Sequence, residues 1–429
     1  MRIIATNQGA AQLLKMREGT KLDDLMLGDG DAEQLAHHVG RLLNANQDEP
    51  VVLRGRASES ERLVVFHLRV VRPQDIDPFV MVISSEVQWP TGFSEMLRAA
   101  FNFSPAESDV VRALTEGHTL QQTAEVRGRS IDTIRAQLKS IMAKTETRSQ
   151  TELVRLTLST MEIAQYSAQA SGAKKQMSQG YETLEPRTFH TFTLPDGRRM
   201  DYLILGDPQG LPLLYSPLDY GLVRWTAQAE AEATRRGIKV IVPVRAGYGS
   251  SSSLPKRIPY VPQLCEDLAA LLDHIGAGPV PMLTLGGDTH LAIQFNSSHP
   301  GRITALIACA GVLPLTRAEQ YDRMDKWHRF ILAGARYTPH LLPFMVKAGF
   351  ALAKRLGKRG FLGAVYGKSE ADMAAIEDIE ILEALVVGSE VCLSDTHSAH
   401  DAFAREVIAH ETTDWTESVL LFKDQVPFI

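Results

Sequence analysis

From Arg187 to Gly311 the chain alternates short apolar runs with longer helical stretches, and this alternation limits the possible folds more than any other feature. The runs read LPLLYSP from Leu211, KVIVPV from Lys239, PMLTLGG from Pro281 and ITALIACAG from Ile303. They show little polar alternation. A strand that is apolar on both sides is buried on both sides, so helices must cover both faces of a mainly parallel sheet. Ahead of them FHTFTL and MDYLIL flank Pro195-Asp196-Gly197, a hairpin signal. Residues 316–415 read as mostly helical, an insertion expected over the strand ends as a lid.

The 429 residues suggest roughly two to four domains. Residues 1–90 hold three strand-like runs, Pro50–Arg56, Arg62–Val71 and Phe79–Ser85, with Glu59-Ser60-Glu61 as a turn. In the middle run Phe66, Leu68 and Val70 alternate with His67 and Arg69, the period of a half-buried antiparallel strand. Together with RIIATNQGAAQLL at the front, including Asn7, this segment resembles a PAS sensor domain. His67 is expected to be a cross-strand surface residue and not a haem ligand. Residues 93–160 are helical. Ser104-Pro105-Ala106-Glu107 is a capping box with proline at the first helical position, and Thr119 with Gln122 repeats it. Ser130 caps a third helix and Ser149 a fourth. Residues 161–187, with SAQASGAKKQMSQG, read as a linker. Residues 188–429 form the last domain.

The third capped helix, SIDTIRAQLKSIMAK, sets Ile134, Leu138 and Ile141 at helical spacing towards a core. Arg127, Arg129, Arg135, Lys139, Lys144 and Arg148 face two acids, Asp132 and Glu146, so this window is +4 in a chain of net charge -6. A cationic helix with small residues suits the phosphates and major groove of DNA. FSPAESDVVRALTEGHTLQQTAEVRGRSIDTIRAQLKSIMAKT resembles the LuxR-type helix-turn-helix without gaps, through Pro105, Glu107, Gly117, Ala124, Gly128, Ser130, Thr133, Ile134 and Arg135. The resemblance implies base reading by Arg135, Ala136 and Lys139, and phosphate contacts by Thr133, Gln137 and Lys144. Thr123 departs from the family at a position where an apolar residue is usual, and Gln137 at one where histidine is common.

The stretch TLGGDTHLAIQF runs from strand to helix through a tight turn. With the hairpin start and the loop Arg245-Ala246-Gly247-Tyr248-Gly249-Ser250-Ser251, it resembles the α/β-hydrolase fold over more than half of the chain. That family mounts a nucleophile here as G-x-S-x-G. This chain reads Gly286-Gly287-Asp288-Thr289-His290. Aspartate is the nucleophile in members that resemble haloalkane dehalogenases and epoxide hydrolases. The resemblance implies an oxyanion loop at Ser216-Pro217-Leu218, where Pro217 has no N–H to donate and Leu218 has one. It also implies a pocket at Ser216, Leu218, Asp288, Thr289 and His290. The chain stops at VPFI, inside the next expected strand, ahead of the usual place of the catalytic histidine. His397 and His400 fall in the helical insertion. Three readings of Asp288 stand at this point: a pocket residue without catalysis, a nucleophile completed by residues outside this sequence, and a structural turn residue. A buried aspartate needs a partner, and His290 or a ligand hydroxyl are the candidates.

The expected architecture is therefore a multidomain α/β protein. A PAS-like α+β segment precedes a four-helix LuxR-type module and an α/β-hydrolase-like, doubly wound sheet with a helical lid, incomplete at its C-terminal end. The expected function is transcription regulation by a homodimer on double-stranded DNA, with the last domain as a small-molecule sensor. The alternative is an Asp-nucleophile hydrolase carrying a helix-turn-helix. Cys265, Cys309 and Cys392 show no metal spacing and are expected as buried apolar groups in a reducing compartment. No cofactor, no metal, no signal peptide and no membrane span is expected, and the location expected is cytoplasmic.

Overall fold

The computed structural model describes all residues except 7–10, 12–13, 29, 45–50, 59–62, 73–77, 87–88, 171–182, 218–219 and 368. Asn7, the turn Glu59-Ser60-Glu61 and Leu218 lie outside the described residues. The chain divides into two compact units, one of Met1–Ser94 with Phe103–Leu158, the other of Glu95–Asn102 with Ser159–Ile429. Among the described residues no helix is long and apolar enough to cross a membrane.

In the first unit helix α1 (Asp31–Asn44) precedes strands β1 (Val51–Arg56), β2 (Leu63–Val71) and β3 (Phe79–Glu86). The strands form an antiparallel meander in chain order. On β2 the expected alternation holds: Val64, Phe66, Leu68 and Val70 are buried, while Arg69 is exposed. The buried face of α1, Leu35, Ala36, Val39 and Leu42, joins Phe66 and Leu68 in one core. Each residue on that face lies three or four positions from another, which makes one helical stripe.

After α2 (Phe93–Phe101) come α3 (Pro105–Thr115), α4 (Leu120–Val126), α5 (Ile131–Thr145) and α6 (Gln150–Ala170). Their starts follow the sequence signals. The Ser104 hydroxyl accepts from the Glu107 amide at 3.2 Å, and the Glu107 carboxylate accepts from the Ser104 amide at 2.7 Å. Thr119 and Gln122 make the same reciprocal pair. Ser130 accepts from Thr133 N and Ser149 from Glu152 N. Each cap contributes about 0.5–2 kcal/mol by satisfying an amide that the helix leaves open. Ile134, Leu138 and Ile141 are buried as expected. Thr123 is buried too, but its hydroxyl donates to the Thr119 carbonyl at 2.8 Å, so the polar group in an apolar position is satisfied within its own helix.

The linker expectation needs correction at both ends. Helix α6 runs to Ala170, because residues 161–170 are rich in Ala and Gln and contain neither glycine nor proline. At the other end Thr183 and Leu184 donate backbone amides to the buried Glu383, and the Glu185 carbonyl accepts from Arg224. Residues 183–187 are thus fastened to the second unit.

In that unit β4 (His190–Thr193), β5 (Arg199–Gly206), β6 (Leu211–Ser216), β7 (Ile238–Val244), β8 (Val280–Leu285) and β9 (Ile303–Cys309) form one sheet of order β4-β5-β7-β6-β8-β9. The hairpin β4–β5 turns at Gly197 (φ 85°), and β5 meets β7 antiparallel. The remaining pairs are parallel. Residues Val240–Val244 of β7 are buried without a break, as a strand covered on both faces requires. The crossovers hold α7 (Ala227–Arg235), α8 (Tyr260–Ile275) and α9 (Asp288–Ser298). The expected helical insertion is present as α10 (Ala318–Asp322), α11 (Lys326–Tyr337), α12 (Leu342–Tyr366), α13 (Glu370–Glu377), α14 (Ile379–Gly388) and α15 (His400–Thr412). Helix α12 is kinked at Gly357, whose φ of 73° only glycine adopts without cost. After α16 (Thr416–Gln425) the VPFI segment lies parallel to β9, with Leu306 N donating to Pro427 O at 2.8 Å. Of the cysteines, Cys265 and Cys392 are buried as expected, but Cys309 is exposed at the end of β9.

Candidate functional site

Three parallel strands end at one place. Ser216 closes β6, Arg245 follows β7, and Gly286-Gly287 links β8 to α9. This is the edge of an α/β sheet where ligands bind. The left-handed backbone of the turn falls on Gly286 (φ 51°), and Asp288 begins the helix in ordinary geometry. A nucleophile elbow instead places its strain on the reacting residue.

Asp288 is buried and held from two sides. The Ser216 hydroxyl donates to its Oδ2 at 2.8 Å, and the Arg245 guanidinium donates to the same oxygen. Arg245 also donates to the Pro217 carbonyl, and its Nη1 lies 3.1 Å from Glu406 Oε2 on α15. Tyr248 donates its hydroxyl to Glu406 at 2.8 Å. Burial raises the Tyr248 phenol well above its ordinary value, and the nearby Glu406 charge adds to this, so it remains a donor. One guanidinium thus sits between two buried carboxylates. Buried charges survive only when paired and hydrogen-bonded in this way.

Asp288, His290 and Arg245 line a cavity of about 330 Å3, along with Glu406, His410 and Trp327. Apolar walls come from Val261, Leu264, Leu291, Ile331 and Leu332. Of the residues expected in the pocket, Ser216 and Thr289 are buried but do not form its wall; Ser216 serves Asp288, and Thr289 donates to the Gly286 carbonyl at 3.0 Å. The expected pairing of His290 with Asp288 does not occur. The His290 ring lies against His410 and Trp415, with centroids 5.4 and 5.0 Å away. Burial first, and the neighbouring His410 second, lower its pKa to about 3, so the ring is neutral. His410 turns Nδ1 to the Glu411 carboxylate at 2.7 Å, and Tyr321 donates to the other Glu411 oxygen at 2.5 Å. A carboxylate can only accept, so Nδ1 carries the proton. Among the described residues, His290 Nε2, His410 Nε2 and Trp327 Nε1 are buried without a hydrogen-bond partner.

Sequence reasoning missed Arg245, Glu406, His410 and Trp327 as pocket residues, and Glu411 as the partner of His410. Two signals were available. A charged residue directly after an apolar parallel strand marks the ligand edge of a sheet, and Glu406 and His410 are four apart, on one face of a helix.

On α5 the expected DNA-contacting residues divide. Thr133, Arg135, Ala136 and Lys139 are exposed together, opposite Ile134, Leu138 and Ile141. The Arg135 side chain is 62% exposed, and its ion pair with Asp132 at 3.1 Å is a surface one. Gln137 is half-buried and accepts from Arg127 at 3.5 Å. Lys144 is committed elsewhere: its ammonium donates to Glu107 at 2.7 Å. Burial raises the Glu107 carboxyl, but hydrogen bonds from Lys144, the Ser104 amide and Ser140 outweigh it and bring the pKa down to about 2. Lys144 therefore stabilises the bundle through Glu107.

No protein-family model matches the sequence, and no curated protein matches it. Among solved structures, the chain is similar to a hydrolase from Pseudomonas aeruginosa PA01 (20% identity, 56% of this chain and 78% of that one, TM-score 0.36). It is also similar to a thermophilic esterase from Thermogutta terrifontis (21%, 57% and 78%, TM-score 0.34). A third is a haloalkane dehalogenase variant from Bradyrhizobium elkanii (14%, 57% and 78%, TM-score 0.35). Likeness at this level says nothing about chemistry. What stands is a mixed α/β chain with a six-stranded, mostly parallel sheet and many helices.

Proposed function

We propose that the chain is a DNA-binding transcription regulator. In this reading a LuxR-type helix-turn-helix at 93–160 is joined to an α/β-hydrolase-like unit that binds a small molecule without turning it over. The PAS-like meander at 1–90 is a second sensory segment. One observation carries the choice of sensor over enzyme: the Arg245 guanidinium and the Ser216 hydroxyl both hold Asp288. A carboxylate that attacks carbon becomes a neutral ester and gives up such bonds. Bonds to charged groups contribute about 1.5–3 kcal/mol each, so losing two raises the barrier by about 3–6 kcal/mol, or two to four powers of ten.

The exposed face of α5 supports the DNA half. Thr133, Arg135, Ala136 and Lys139 follow the helix N-terminus, where backbone amides and cations suit phosphates and a small residue admits close approach to bases. One small module holds a site weakly, so a homodimer on a two-fold site fits best. Replacing Arg135 by alanine is expected to weaken specific binding by about 1–3 kcal/mol. A gel shift at fixed salt, with duplexes from the upstream promoter of its own gene, reads this. Unchanged affinity in R135A, or wild-type protein that ignores these duplexes even in dilute buffer, overturns the regulator reading.

A second reading is favoured by one feature. His410, with Nδ1–H on Glu411 and Nε2 at the cavity, has the form of a general base. In a hydrolase, Asp288 would displace a leaving group from carbon and form an ester. A water deprotonated by His410 would then attack the ester carbonyl, the proton passing from His410 to the alkoxide released, and Asp288, left as its acid, would return its proton to solvent. Mass spectrometry after treatment with ester, epoxide or haloalkane substrates separates the readings, because an adduct on Asp288 appears only in the enzyme.

A further inference from the structure

The second unit holds another cavity, of about 360 Å3, within the helical insertion. Phe361, Leu362 and Val365 of α12, Ile376 of α13, and Ile381 and Leu385 of α14 line it. Its wall includes the Lys358 ammonium, which is bonded to the Val386 carbonyl and to Glu390, both at 2.6 Å. Tyr220 and Tyr366 line this cavity and also the one beside Asp288. Both volumes fall within the roughly 300–1,000 Å3 typical of ligand sites.

The two cavities differ in chemistry. The one beside Asp288 presents buried nitrogens without partners among the described residues, on His290 (3% exposed), Trp327 (6% exposed) and His410. An unpaired buried polar atom is costly, and a bound group with matching atoms recovers that cost. Trp327 can only donate. His410, with its proton on Nδ1, offers Nε2 as an acceptor when neutral. The matching head group contains both a donor and an acceptor. It is not an anion, because Arg245 already has Asp288 and Glu406 as counter-ions. The cavity in the insertion presents mainly apolar side chains.

We propose that the two cavities together hold one molecule, an amphiphile with a neutral amide or hydroxyl head among Trp327, His290 and His410 and an unbranched alkyl chain that passes Tyr220 and Tyr366 into the insertion. This assigns a ligand class to the small-molecule site proposed above and rests on that reading of the unit.

The test uses the full chain, without DNA, and straight-chain primary amides from butanamide to tetradecanamide, with binding measured by calorimetry. Each added methylene buries about 0.8 kcal/mol of apolar surface, so Kd is expected to fall roughly fourfold per step. The fall is expected to continue beyond the length that the first cavity alone accepts. Ala375→Phe and Leu385→Trp each fill the second cavity and are expected to abolish the gain of the longer members; thermal melting confirms which of the two is folded. His410→Phe is expected to weaken every member by a similar factor, roughly twofold to tenfold. A wild-type series that levels off at the same length as a folded, filled variant overturns the proposal, and so does a folded wild type that binds no member. Because binding is read directly, a chain that binds the amides but ignores DNA refutes the regulator reading and leaves this site standing.

Discussion

Replacing Arg245 by methionine tests the buried triad on which the sensor reading depends. In the wild type one guanidinium faces Asp288 and Glu406, and the three side chains are each about 5% exposed or less, apart from Glu406 at 6%. Methionine keeps much of the side-chain bulk but leaves two carboxylates buried without their cation. Breaking a buried pair by removing one partner costs about 3–5 kcal/mol. The triple variant R245M/D288N/E406Q removes all three charges and keeps the shapes. Replacing a whole buried ion group by neutral residues is often close to neutral, so the triple variant is expected to recover most of the loss. Urea unfolding followed by tryptophan fluorescence suits the question, because Trp225, Trp327 and Trp415 lie in the second unit and only Trp89 lies in the first. At roughly 2–4 °C per kcal/mol for a unit of this size, R245M should melt about 6–20 °C below wild type. The reasoning is refuted if R245M unfolds within about 1 kcal/mol of wild type, well short of the expected cost. It is also refuted if the triple variant is no more stable than R245M. Either result means that Arg245 does not hold Asp288 as a buried counter-ion, and the barrier argument against a nucleophilic Asp288 falls with it.

Two further expectations concern the helical module. The folded Glu107 carboxyl has its pKa lowered from 4.5 to about 2, so its contribution to stability is present above the unfolded value and is lost as pH falls through the folded one. The contribution is on the order of 2–3 kcal/mol, and acid titration followed by circular dichroism should show it lost between these two values; E107Q is expected to remove that step, and a step of unchanged size would refute the assignment. Ser130→Ala removes the cap of α5 and should cost about 0.5–2 kcal/mol, whereas Ser130→Asp should restore it; urea midpoints that do not separate the two variants would contradict the cap seen at Thr133 N.

The helix starts were legible because capping is local chemistry. Ser104, Thr119, Ser130 and Ser149 announce their helices within four residues, and the structure places a helix after each. The apolar runs were legible for a related reason: strands buried on both faces, such as β7, leave no alternation to misread. Where α6 ended was not legible. Small polar composition resembles a linker, yet Ala, Gln and Met are also good helix formers, and the first glycine comes only at 172. The bond from Lys144 to Glu107 was not legible, because Glu107 lies thirty-seven positions away in sequence, on a helix packed against its own. The partner of Asp288 was hidden for the same reason. The sequence offered His290 two positions away, but side chains two apart do not face each other on a helix, and the counter-ion came from the end of β7.

Helix α15 is where these long-range contacts meet. Glu406 joins it to Arg245 and Tyr248 at the sheet edge, and one turn later His410 faces the cavity. The adjacent Glu411 accepts from Tyr321, and its carbonyl from Arg336, both in the helical insertion. A ligand that pairs with His410 Nε2 therefore acts on a helix already bonded to both layers. The polar network on this helix has defined partners on either side, and packed networks move between discrete arrangements more readily than they deform. If ligand occupancy in this unit is to be felt elsewhere in the chain, displacement of α15 is the step that the bonding pattern favours. Hydrogen exchange of Ala402–Glu411 amides, with and without a bound amide, reads that step directly, and equal protection in the two states would place the coupling on another element.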